Sequence, residues 1–169
     1  MSEAASGPRW HDPDERVAVE VVLNGLPTTL HPSPRWTLAD AVREHGLTGT
    51  HLGCEHGVCG ACTVLLDGEP VRACLVLAVQ AAERRVETVE GLADGDELHP
   101  LQAAFREHRA LQCGFCTPGF VVLAAWLVER EPEADLERVR EVLSSNLCRC
   151  TGYGPILAAT LAAREGNDA

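Results

Sequence analysis

Residues 53 to 62 read Gly53-Cys54-Glu55-His56-Gly57-Val58-Cys59-Gly60-Ala61-Cys62, and after eleven intervening residues stands Cys74. The pattern is C-x4-C-x2-C-x11-C, the thiolate spacing of a plant-type [2Fe-2S] centre. Four thiolates must converge on two irons, so the chain has to curl around them. Gly53, Gly57 and Gly60 permit that curl through unusual backbone angles and close backbone approach. A structural zinc site, the bland alternative, normally shows two pairs of closely spaced cysteines. Three cysteines within nine residues and a distant fourth do not fit it. His56 lies inside the loop, where a Rieske centre would use histidine, but four cysteines already complete the set.

The flanks of this loop read as a small sheet domain. Arg16 to Leu30 alternates, with Val17, Val19 and Val21 on one face, and Asn24-Gly25 is a two-residue hairpin turn. Thr37-Leu38-Ala39-Asp40 resembles a capping box, Leu38, Ala41 and Val42 share a helix face, and Gly46 closes the segment. Thr63 to Leu66, the Asp67-Gly68 turn and Glu69 to Val71 form a second hairpin, and Arg85 to Val89 offers a last strand. The α+β pattern predicts one domain over residues 16–92.

After an acidic, glycine-containing stretch the strand signals vanish. Helical patterns run over Pro100 to Ala110, Pro118 to Arg130, Asp135 to Ser144 and Pro155 to Arg164, three of them opened by proline. They predict a second domain, a four-helix bundle over residues 98–165. Its connections hold Cys113-Gly114-Phe115-Cys116 and, after 31 residues, Cys148-Arg149-Cys150. Taken alone, C-x2-C with C-x-C is open to zinc as well as iron. The C-x-C half weakens zinc and suits two ligands on one iron. Short loops between antiparallel helices would bring both pairs to one end of the bundle. The stripe Phe120, Val121, Leu123, Ala124, Leu127 and Val128 reads as core.

Bulk properties set limits. The 169 residues carry 25 acidic side chains against 14 arginines and no lysine, a net charge of -11, the wrong sign for neutralising nucleic-acid phosphates. The longest apolar run, Phe120 to Val128, is far short of the roughly 20 residues that cross a bilayer. Met1 to Arg16 shows no apolar segment of a secretory signal, so the expectation is a cytoplasmic protein whose cysteines bind metal. Asp94-Gly95-Asp96-Glu97 lacks the remaining positions of a calcium loop and reads as a solvated linker. Gly152-Tyr153-Gly154 is too short for a nucleotide fingerprint and reads as a turn into a helix.

Together, G-C-E-H-G-V-C-G-A-C-T-V at 53 to 64, Q-C-G-F-C-T-P-G-F at 112 to 120 and N-L-C-R-C-T-G-Y at 146 to 153 resemble the small iron–sulfur subunit of the molybdenum hydroxylases, the xanthine dehydrogenase and carbon monoxide dehydrogenase family. The resemblance spans Val17 to about Ala163. It implies a β-grasp, plant-ferredoxin-like N-terminal domain and a helical C-terminal domain, each with one [2Fe-2S] cluster. It also implies a large molybdopterin subunit and a medium FAD subunit as partners, in a heterotrimer or a dimer of heterotrimers. By the same resemblance Cys113, Cys116, Cys148 and Cys150 hold the cluster nearer molybdenum, Cys54, Cys59, Cys62 and Cys74 hold the one nearer FAD, and the Gln112 amide bonds the pterin. The tetrapeptide Glu55-His56-Gly57-Val58 differs from that of the carbon monoxide branch, which weighs against that substrate.

The implied activity is electron transfer, with no substrate chemistry and no catalytic residue in this chain. Arg149, between two ligand cysteines, is expected either to offset cluster charge or to serve as a surface arginine. Two other classes compete. A stand-alone two-cluster carrier or redox sensor predicts a stable monomer docking on basic partners through its negative charge. A zinc-stapled interaction module predicts a colourless protein without inorganic sulfide.

Overall fold

Asn24-Gly25 and Asp67-Gly68 both take the left-handed backbone that a tight hairpin turn demands, with φ of 49° and 80° in the first and 52° and 81° in the second. In the computed structural model, which describes residues 11–12 and 15–165, these turns join β1 (Val19–Leu23) to β2 (Leu26–Leu30) and β3 (Thr63–Leu66) to β4 (Glu69–Arg72). A short β5 (Arg85–Glu87) lies between the hairpins, parallel to β1 and antiparallel to β3. The sheet order is β2-β1-β5-β3-β4. The reading of Met1 to Arg16 as free of a signal lies almost wholly outside the described residues.

Helix α1 (Leu38–Glu44) closes this half. Thr37 and Asp40 form the full capping box, and Asp40 Oδ2 accepts from both the Thr37 amide and its hydroxyl. Beyond the C-cap, Gly46 at φ 103° lets its own N–H reach Arg43 O and that of Leu47 reach Val42 O, a Schellman ending. The buried face of α1, Leu38, Ala41 and Val42, joins Val19, Val21, Leu23, Val64, Leu66 and Val86 in one core. One helix laid on a mixed sheet in this way is a β-grasp.

The helical half comprises α2 (Pro100–Glu107), α3 (Thr117–Arg130), α4 (Leu136–Leu143) and α5 (Gly154–Glu165), with a separate buried cluster built on Leu101, Phe105, Phe120, Leu127, Leu143 and Ile156. Helices α2 and α4 bury one stripe each, as amphipathic surface helices do. Helix α3 is buried almost all round because it also packs on β3 and β4. For the same reason every residue of β3 is buried: Val64 and Leu66 enter the sheet core, and Leu65 lies on the face that α3 covers.

Two sequence expectations are shortened. The last strand ends at Glu87, and Val89–Gly91 forms a 3-10 turn instead. Helix α2 stops at Glu107 rather than Ala110 because Arg109 is left-handed at φ 51°, and the amides of Arg109 and Ala110 turn back onto Arg106 O and Phe105 O.

Two candidate cysteine centres

The β3–β4 register builds half of the first centre. Thr63 pairs with Arg72, so the residues just past the open end of that hairpin, Cys62 and Cys74, are brought side by side, and Ala73 N–H donates to Cys62 O at 3.2 Å. Both are buried, and burial beside Cys74 pushes the Cys62 thiol up to about 11. The other half is the curled loop. Glu55, Gly57 and Gly60 are all left-handed, at φ 57°, 82° and 74°. Gly53 serves by close approach, because a Cβ there would lie 3.2 Å from Cys59 Sγ. The curl aims amides at sulfur: Cys59 N–H donates to Cys54 Sγ at 3.4 Å. That bond first, then the amides near His56 and Val58, lower the Cys54 thiol to about 6. Cys54 and Cys59 form the second contacting pair. His56 turns its Nδ1 to Cys54 O and takes no place among the sulfurs.

The second centre forms where the α2–α3 and α4–α5 connections meet. Cys150 Sγ and Cys113 Sγ stand 3.6 Å apart on the exposed side, and Cys116 faces Cys148 on the inner side. Burial pushes the Cys116 thiol up to about 12. Burial acts on Cys148 in the same direction but is outweighed: the Thr151 hydroxyl and the amides of Thr151 and Cys150 bring that thiol below its ordinary value. The expectation that Cys148 and Cys150 act together is not met. The chain bends through residues 149–151, turning Cys148 inward and Cys150 outward, so each pairs with a cysteine of the other loop.

The donor set fits two-iron centres. A tetrahedral metal with metal–sulfur bonds of about 2.3 Å holds two of its sulfurs about 3.8 Å apart, close to the Cys113–Cys150 separation of 3.6 Å. Two contacting pairs per centre match a cluster that takes two sulfurs on each iron.

The two loops are tied directly together. Leu147 N–H, adjacent to Cys148, donates to Cys59 O at 2.9 Å, and buried Asn146 donates through Nδ2 to Gly60 O at 3.3 Å. Arg72 spans the halves, reaching Thr63 Oγ1 at 2.5 Å and Ser145 O at 2.7 Å. His51 Nδ1 bonds Phe115 O at 2.7 Å, and the two rings stack with centroids 4.9 Å apart. Gln112 is exposed beside Cys113, and Arg149 is exposed as well. Sequence reasoning named all eight cysteines and missed Asn146, Arg72, His51 and Thr151. Local pattern carries no signal for the first three because their partners are 64 to 86 positions away.

Comparison with known proteins agrees with this division. Residues 21–93 match the family described as 2Fe-2S iron-sulfur cluster binding domain, and residues 88–161 match the [2Fe-2S] binding domain family. The chain is 55% identical over 150 residues to the nicotine 6-hydroxylase small subunit of Paenarthrobacter nicotinovorans, covering 88% of this chain and 90% of the relative. It is 41% identical over 149 residues to the xanthine dehydrogenase iron-sulfur-binding subunit of Escherichia coli O157:H7, covering 87% and 94%. The crystal structure of quinoline 2-oxidoreductase from Pseudomonas putida 86 contains a similar chain, with a TM-score of 0.88 at 49% identity over 92% of this chain and 98% of that one.

Proposed function

The chain belongs to the small iron–sulfur subunits of the xanthine dehydrogenase family of molybdenum hydroxylases, and on that footing we propose that it carries electrons singly from the molybdopterin centre of a large subunit to FAD in a medium subunit. The observation that carries the reading is the gathering of eight cysteines into two four-thiol centres joined by the Leu147–Cys59 hydrogen bond. Residues 16–92 and 98–165 are taken as the two domains, supported by their separate buried clusters.

Cys54, Cys59, Cys62 and Cys74 would hold one [2Fe-2S] cluster, and Cys113, Cys116, Cys148 and Cys150 the other. When bound, each supplies one-electron redox chemistry at thiolate-held iron. The protein's own residues do the rest. Amides of the 54–59 loop stabilise charge on Cys54, and burial of Cys62, Cys74 and Cys148 keeps water away from one side of each centre. The bonds from Leu147, Asn146 and Arg72 fix the separation of the two loops. Gln112 is exposed beside Cys113, and its amide would hydrogen-bond the pterin of the large subunit. Val58, Leu75, Leu147 and Phe115, between 47% and 63% exposed, lie on the cysteine loops or directly beside them and are the apolar area that partner subunits would cover.

No described helix is long and apolar enough to cross a membrane, and the net charge of -11 disfavours nucleic acid as a partner. The substrate is chosen by the large subunit. The test is gentle purification of the tagged chain from its native host. Co-purification of two larger chains, one with molybdenum and one with flavin, is the expected result, as a heterotrimer or a dimer of heterotrimers. A lone iron–sulfur monomer would overturn the assembly and favour a free carrier in the cytoplasm.

A further inference from the structure

Four hydrogen bonds close a circuit around Cys148. Its Sγ lies 3.0 Å from Thr151 Oγ1 and accepts Thr151 N–H at 3.4 Å. Thr151 Oγ1 accepts Tyr153 N–H at 3.2 Å, and the Tyr153 hydroxyl oxygen accepts Cys148 N–H at 3.0 Å. Two successive left-handed residues, Gly152 at φ 68° and Tyr153 at φ 67°, fold the chain back to make this possible. The Tyr153 ring is held edge-on to the buried Phe120, centroids 6.2 Å apart, so the circuit is anchored in the helical core.

The circuit fixes a proton. A hydroxyl has one proton to donate and two lone pairs to accept with. Tyr153 N–H occupies one lone pair of Thr151 Oγ1. A cysteine that binds metal has given up its own proton, so the sulfur is only an acceptor. The Thr151 proton therefore points to Cys148 Sγ.

We propose that Thr151 is a positioning residue that sets the reduction potential of the second cluster through its hydroxyl bond to Cys148. This rests on the reading that Cys113, Cys116, Cys148 and Cys150 hold a [2Fe-2S] cluster. Reduction adds one electron to that centre, supplied in the test by dithionite, with no bond broken and no proton required. The reduced centre carries one more negative charge, so a donor aimed at a ligand sulfur stabilises it more than the oxidised one. Removing the hydroxyl lowers the potential.

The test is a redox titration of the purified complex, followed by electron paramagnetic resonance, on wild type, T151V and T151S, with iron and sulfide measured on each. T151V keeps the shape and loses the donor; T151S keeps the donor. The expected result is a more negative potential for one cluster only in T151V, an unchanged second potential, and recovery in T151S. T151A repeats the measurement if T151V loses iron. Wild-type potentials for both clusters in the hydroxyl-free variants, or a shift in T151S as large as in T151V, would overturn the proposal. A wild type holding a single cluster would instead remove the ligand reading beneath it.

Discussion

At Gly119 one methyl group decides whether the two halves can touch. A Cβ there would stand 2.3 Å from Gly60 O and 3.2 Å from Ala61 Cα, both backbone atoms. Gly60 is itself closely packed, since a Cβ on it would lie 2.0 Å from Asn146 Oδ1. In an isolated helix alanine would be favoured over glycine by about 1 kcal/mol. Overpacking against fixed backbone costs about 1–3 kcal/mol and should win. Gly119→Ala is therefore expected to lower the melting temperature of the holoprotein, and a rise would show that α3 does not bear on the first cysteine loop. Gly57 and Gly60 were legible in the sequence, since a chain that curls around four thiolates needs left-handed residues. Gly119 was not: inside a helical pattern, nothing local marks a glycine that faces another half of the molecule.

At the scale of elements, most boundaries were legible because local chemistry fixes them. Asn24-Gly25 and Asp67-Gly68 supply the turns, Thr37 and Asp40 the cap, and prolines the first turns of α2, α3 and α5. The 3-10 turns at Ala73–Leu75 and Ala78–Ala81 were not, because no sequence period marks three or four residues. The start of α2 carries its own pH dependence. Leu101 N–H donates to His99 Nδ1 at 3.2 Å, which requires that nitrogen to be unprotonated, and Gln102 Oε1 accepts His99 N–H at 2.9 Å. Burial lowers the His99 pKa against the opposing pull of Glu129. The unfolded chain, with the ordinary histidine value of about 6.5, takes up the proton first. Stability from this cap is then complete above about pH 6.5 and lost as pH falls from there through the lower folded value. His99→Asn keeps a capping acceptor that does not titrate. Between about pH 7.5 and about pH 5.5 the variant's melting temperature should fall less steeply than that of wild type. Parallel curves would contradict this role.

Across the whole molecule, spacing pointed to an iron–sulfur set in Cys54, Cys59, Cys62 and Cys74 because that loop dictates its own curl, whereas Cys113, Cys116, Cys148 and Cys150 stayed open between iron and zinc until the family resemblance was added. The relation between the centres was out of reach. It depends on Leu147 meeting Cys59, on Arg72 reaching Ser145 and on His51 stacking against Phe115, contacts that exist only once β3 is buried under α3. The pairing of Cys148 with Cys116 and of Cys150 with Cys113 was hidden for a similar reason, since a bend and not a spacing sets it. Arg149 drew attention by standing between two cysteines, yet it is exposed, and it is Thr151 whose side-chain hydroxyl reaches the Cys148 sulfur. The central claim is that all eight thiols serve as iron ligands in one chain. The most direct measurement is iron, acid-labile sulfide and zinc per chain on the purified holoprotein. About four iron and about four sulfide, the content of two [2Fe-2S] clusters, with no stoichiometric zinc, is the predicted result. Zinc in place of sulfide, or iron and sulfide at only about half that content, would contradict it.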